Sequence, residues 1–121
     1  MRIYDAATNN LVDSINVAGD TDTLGYSGQS GARTVNLKPA VILGNTISIS
    51  PHTGRLTYGT RYRVVIDSGA FSGNVSGQAF AGISGDQWTF TTKAGGPNAT
   101  TVTVDDDAPA DFSSVQGALN Y

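Results

Sequence analysis

Arg61-Tyr62-Arg63-Val64-Val65-Ile66-Asp67 is the stretch whose reading decides the fold. Its alternation places Tyr62, Val64 and Ile66 on one side and the two arginines on the other, the pattern of a strand with one dry face. Just upstream, Thr46-Ile47-Ser48-Ile49-Ser50 alternates strictly and reads as a second half-buried strand, ended by Pro51-His52-Thr53-Gly54. Gly44-Asn45 is a turn before it. Arg33 to Leu37 is a strand with Thr34 and Asn36 on one side and Val35 and Leu37 on the other, and Val41-Ile42-Leu43 continues it past Pro39. Near the start, Arg2 to Asp5 and Leu11 to Val17 form two strands. Ala6-Ala7-Thr8-Asn9-Asn10 joins them as a hairpin turn, because Asn tolerates the left-handed backbone. Downstream, Gln87 to Lys93 is a further strand with Trp88 and Phe90 pointing the same way. Residues 18–32, which include Tyr26, and residues 68–86, which include Phe71 and Phe80, read as long loops rich in Gly and Ser. About seven short strands without helical periodicity predict an all-β protein, an Ig-like β-sandwich.

Composition agrees. The chain of 121 residues holds one domain of ordinary size plus a tail. All ten acidic residues are Asp, a residue that suits turns, and none is the helix-former Glu. The net charge of −3, with scattered basic residues, excludes a nucleic-acid binder from the expectations. There is no cysteine, hence no disulfide and no thiolate metal site. No run is long and apolar enough to span a membrane, and Met1-Arg2-Ile3-Tyr4-Asp5 lacks the apolar stretch of a signal peptide.

Two resemblances add to this. Leu56-Thr57-Tyr58-Gly59-Thr60-Arg61-Tyr62-Arg63-Val64-Val65-Ile66, then Gly69-Ala70-Phe71-Ser72-Gly73-Asn74, then Trp88-Thr89-Phe90-Thr91-Thr92 resemble, in order, three blocks of the bacterial Ig-like domains named after the surface-layer protein SbsA. The resemblance covers roughly residues 2–93. It implies that Gly59 takes a turn conformation closed to other residues. It also implies that the Tyr62 hydroxyl ties its strand to the preceding loop as a tyrosine corner, and that Trp88 fills the space between the sheets. Members usually carry one or two strands before the segment matching Arg2, so the module is expected to lack its first strand or strands and to expose an unpaired edge.

At the other end, Thr101-Val102-Thr103-Val104 followed by Asp111-Phe112-Ser113-Ser114-Val115-Gln116-Gly117-Ala118-Leu119-Asn120-Tyr121 resembles the opening of a bacterial pectinesterase catalytic domain, a right-handed β-helix. The resemblance implies a division into a module over 1–93, a linker over 94–100 and the truncated start of a pectinesterase-like domain over 101–121. Ser113 to Tyr121 is expected to be a short helix with Val115, Ala118 and Leu119 on one face. The extra strand Thr101–Val104 is expected to fill a sheet edge, within one chain or by exchange in a homodimer. The implied role is a non-catalytic accessory module of a secreted or cell-surface carbohydrate esterase, acting as a spacer or in targeting to a pectin-like cell-wall polysaccharide. Any signal sequence would lie upstream. No catalytic residue carries over, because the motifs that serve that family's chemistry do not occur here.

Candidate chemistry is sparse, and no cofactor or metal is expected. His52 is the only histidine. A small serine hydrolase would need it, with Asp67 or Asp86 as its orienter, but Gly28-Gln29-Ser30-Gly31 and Gly82-Ile83-Ser84-Gly85 miss the spacing of a nucleophile elbow. A solvated turn histidine is the expectation. Asp105-Asp106-Asp107 offers hard oxygen ligands without a Gly-spaced loop, so it reads as a solvated acidic turn, and Asp20 and Asp22 read alike. Tyr26, Tyr58 and Trp88 offer aromatic faces on which a sugar ring could stack, with Trp88 expected in the core and Tyr26 the better candidate for exposure, and Arg55, Arg61 and Arg63 could pair with uronate carboxylates. The competing reading is that these arginines are ordinary outward residues.

Overall fold

The computed structural model describes residues 1–24, 33–72, 74–75, 77–96, 101–105, 110, 115 and 118. Among them the chain is all-β and sandwich-like, built from antiparallel pairs. The strands are β1 Arg2–Asp5, β2 Leu11–Ser14, β3 Asp20–Leu24, β4 Arg33–Leu37, β5 Ala40–Leu43, β6 Thr46–Ile49, β7 Arg61–Val65, β8 Asn74–Val75, β9 Gln78–Ala79 and β10 Thr89–Thr91. A four-stranded sheet runs β10-β7-β1-β2, and β3–β4, β5–β6 and β8–β9 are two-stranded.

The dry face of β7 organises the core. Tyr62, Val64 and Ile66 are buried, as the alternation requires. Val64 lies opposite Ile3 of β1, Ile3 lies opposite Asp13 of β2, and Tyr62 lies opposite Phe90 of β10. Ile3, Ile15 and Tyr62 form the central cluster, with Met1, Val12, Ile49, Leu56 and Phe90 packed against it. Ile49 comes from β6 and Leu56 from the loop before β7, so the β5–β6 side covers this face of the sheet. The Tyr62 and Phe90 rings sit 5.5 Å apart and tilted. On the outer face, the Arg63 guanidinium lies over the Tyr4 ring at 4.7 Å.

The expected tyrosine corner is present. The Thr57 amide donates to the Tyr62 hydroxyl at 2.8 Å, which pins the loop to the strand that follows it. Gly59 has φ +62° and donates to Lys93 O at 2.7 Å. In the hairpin turn, Asn9 takes φ +60° as its type allows. The Asp5 carboxylate accepts from the Thr8 and Ala7 amides, and these bonds lower its pKa.

Several expectations need correction. Residues 18–32 are not one loop: β3 lies in them and pairs residue for residue with β4. Val41-Ile42-Leu43 does not extend β4; it belongs to the separate strand β5, turned back onto β6 through Gly44-Asn45. β6 is not half-buried along its length, since only Ile49 is partly covered. The segment 68–86 contains the small β8–β9 hairpin and a bridge between Ile66 and Ile83. Gly82 makes that bridge possible: at φ +89°, an added Cβ would lie 2.7 Å from Ile66 O and 2.8 Å from Ser68 N. Trp88 is not an inter-sheet core residue. It sits just before β10, the outermost strand of its sheet among the described residues, and is 40% exposed. Thr101–Val104 is not a strand over its length; only Val104 takes part in a β-bridge. Of the expected helix over 113–121, only Val115 and Ala118 are described, each in helical conformation.

Candidate functional site

Where the parity of β2 places Ile15 in the core, it also places Asp13 there. The sheet therefore carries a carboxylate on its dry face, only 4% exposed. An ionised carboxylate so placed is costly unless it is paired and hydrogen-bonded. The partner comes from the turn after β6. The His52 amide donates to Asp13 Oδ2 at 2.9 Å, and the His52 ring Nδ1 lies 2.7 Å from Oδ1. A carboxylate only accepts, so Nδ1 carries a hydrogen here. The next residue repeats the arrangement on β3: the Thr53 amide and hydroxyl both donate to Asp22 Oδ2, at 2.9 and 2.7 Å. Asp22 Oδ1 accepts from the Thr23 amide at 2.8 Å. On the far side of the imidazole, Nε2 faces Asp20 Oδ2 at 3.4 Å. Asp20 is itself oriented by the amides of Asn16 and Thr21. Two consecutive residues of one turn thus staple β2 to β3.

The electrostatics follow from this geometry. The hydrogen bond to Asp13 raises the His52 pKa above its ordinary 6.5; burial opposes it, and the charges of Asp13, Asp20 and Asp22 reinforce it. Burial works against ionisation of Asp22, but the bonds from Thr53 and Thr23 outweigh it and its pKa is lowered. The Asp20 pKa is lowered by the Asn16 amide first, then by Thr21 and by His52. The surrounding carboxylates thus favour the protonated form of the His52 ring.

These positions differ from the sequence reading. His52 is not a solvated turn residue; its side chain is 13% exposed. Its orienter is neither Asp67 nor Asp86. Asp67 pairs with Arg2, and Asp86 lies 3.7 Å from Arg63 Nε. Asp20 and Asp22 are not a solvated turn but part of a strand that locks onto the His52 turn. One signal was available: Asp13 shares strand parity with Ile15, an inward-pointing charge that demands a partner. Which residue answers it is 39 positions away and invisible locally.

A cleft of about 580 Å³ opens beside the cluster, lined by β2, by Thr21, Asp22 and Thr23 of β3, and by residues 52–55. Arg55 lies here and is exposed. Arg61 and Arg63 lie elsewhere, on the outer face of β7. Arg61 donates to Thr89 Oγ1 at 3.2 Å, and Arg63 donates to Asn9 Oδ1 and stacks on Tyr4. Arg63 is therefore an engaged structural residue. Tyr26 lies outside the described residues, and Tyr58 is exposed on the loop before β7. The three arginines thus do not converge on one surface. Among the described residues no group of His, Cys, Asp or Glu has the arrangement of a metal site, and no buried side-chain N or O atom lacks a partner. Comparison with known proteins finds no matching family model, no matching curated protein and no matching solved structure.

Proposed function

We propose that this chain is a non-catalytic accessory module whose work is mechanical: a spacer of Ig-like type attached to a secreted bacterial carbohydrate esterase of the pectinesterase kind. The observation that carries the reading is the closed state of the His52 cluster. A general base must present a free nitrogen to a nucleophile. Here Nδ1 is on Asp13, and Nε2 faces a carboxylate instead of a hydroxyl. Such a histidine holds strands together. The tyrosine corner at Tyr62 and the turn at Gly59 support the Ig-like part of the reading, and the tail sequence supports the pectinesterase part.

Targeting to a pectin-like polysaccharide is the second reading, and Arg55 favours it. It stands exposed on a cleft whose walls carry the hydroxyls of Ser14, Thr21, Thr23 and Thr53. Arg55 pairing with a uronate carboxylate would give that surface its affinity.

Affinity electrophoresis in gels containing pectins of different methylation, with xylan as control, separates the two. Unretarded migration in every gel supports the spacer. Retardation by pectin that Arg55→Ala abolishes makes the chain a targeting module. Hydrolysis of a simple aryl ester that collapses in His52→Ala would overturn both readings.

A further inference from the structure

The β5–β6 hairpin concentrates exposed aliphatic side chains more densely than any other described segment. Val41, Ile42 and Leu43 are 60%, 62% and 81% exposed, and Ile47 is 40% exposed. Four aliphatic side chains thus stand in solvent within seven residues. The register explains how. Ala40 lies opposite Ile49 and Ile42 opposite Ile47, so these four share one face. The inner end of that face, Ile49, packs on the core; its outer end, Ile42 and Ile47, overhangs it. Val41 and Leu43 project from the opposite face.

The edges matter as much as the faces. Among the described residues β5 and β6 pair only with each other, so each has one row of backbone groups without a strand partner. The edges of the β3–β4 pair and of β2 carry charge, whereas β10 and the short β8–β9 hairpin do not. β3 holds Asp20 and Asp22, β4 opens on Arg33 and is followed by Lys38, and Asp13 points inward from β2. Such charges are how proteins keep strand edges from pairing with other chains. From Pro39 to Pro51 there is no charged residue at all.

From this we infer that the β5–β6 hairpin is the surface through which two copies of this chain associate, hairpin against hairpin across a two-fold axis. A two-fold contact needs only one self-complementary patch. An antiparallel pair of identical edges meets that condition, with aliphatic side chains on both faces of the joined sheet. The size sets the strength. Counted over both faces of the hairpin, the four side chains expose on the order of 400 Å². That is about half of what each partner buries in a standard stable complex. The dimer is therefore weak, with a dissociation constant of about 10 μM or higher. Each copy carries a net charge of −3, none of it in the hairpin, so salt strengthens the association by screening repulsion between the bodies.

Sedimentation velocity on the full chain, from about 1 μM to about 1 mM, tests this. The expected result is a monomer that shifts toward a dimer with concentration, more strongly at high salt. Leu43→Lys and Ile42→Lys are expected to raise the dissociation constant about tenfold or more. Both side chains are exposed, so the melting temperature should hold. If a lysine variant melts early, Leu43→Ser removes the same apolar surface without adding charge. A wild-type chain that stays monomeric throughout overturns the inference. So does a dimer indifferent to all three substitutions, which would place the contact elsewhere, for example at Thr101–Val104. Open-ended oligomers would refute the two-fold geometry.

Discussion

Replacing Asp13 by Asn removes one negative charge from the dry face of the sheet while keeping the shape of the side chain. The asparagine oxygen can still accept one of the two His52 hydrogens, at 2.9 or 2.7 Å in the wild type. The other bond is lost, and the imidazolium loses its nearest counter-charge. A hydrogen bond to a charged group contributes about 1.5–3 kcal/mol. Removing one partner of a fully buried pair costs about 3–5 kcal/mol. Asp20 remains on the far side of the ring, so the lower range applies, and about 2–3 kcal/mol is expected at pH 6. For a chain of 121 residues that lowers the melting temperature by about 8–12 °C. The pH dependence makes the test specific. The His52 pKa is raised on folding, so the charged imidazolium contributes fully below its ordinary 6.5, and that contribution is lost as pH rises through the raised value. The gap between wild type and Asp13→Asn should therefore be widest below the ordinary 6.5 and narrow as pH rises through the raised value and His52 discharges in the wild type. Thermal melts followed by circular dichroism across that range measure it. Parallel curves for the two proteins, or a gap below about 0.5 kcal/mol at pH 6, would refute the reasoning.

On the acid side the sign reverses. The Asp22 pKa is lowered, so its contribution is complete above its ordinary 3.8 and is lost as pH falls through the lowered value; Asp22→Asn should be less stable than wild type at pH 6 and converge with it in acid melts. Gly82→Ala forces a Cβ to within 2.7 Å of Ile66 O at a positive φ, and urea titration should show a loss of about 2–4 kcal/mol, far above an ordinary loop Gly→Ala change. Tyr62→Phe keeps the ring in the core but removes the acceptor for the Thr57 amide; about 1–2 kcal/mol should go, with faster amide exchange at Thr57. Phe90→Ala should cost about 2–4 kcal/mol through its lost packing on Tyr62, and Trp88→Ala less than about 1.5 kcal/mol, an order that an inter-sheet Trp88 would reverse.

The strand core was legible because its signals are local. Alternation over Arg61–Asp67 placed Tyr62, Val64 and Ile66 on the buried face, Asn9 marked the first hairpin turn, and Gly59 with Tyr62 marked the corner. β3 was not legible. Asp20-Thr21-Asp22-Thr23-Leu24 is polar enough to pass for loop, and it is a strand because β4 pairs with it and His52 and Thr53 bond to its carboxylates. Strand propensity measures fit to neighbours, and here the neighbours are polar. Thr46–Ile49 erred in the opposite direction. Its alternation does give it an apolar face, but alternation cannot say whether a second layer reaches that far, and the layer stops at Ile49.

By itself, then, the sequence determined the fold class, the dry side of β7 and the corner that anchors it, because period, turn chemistry and side-chain size act between residues close along the chain. Only the tertiary structure decided what His52 does. A solitary histidine in a turn has no fixed meaning until the chain brings Asp13, Asp20 and Asp22 around it; a charge is set by its nearest counter-charges in space, and these come from strands 30 to 39 residues away. The overhang at Leu43 was likewise a tertiary matter, since exposure depends on where the neighbouring layer ends.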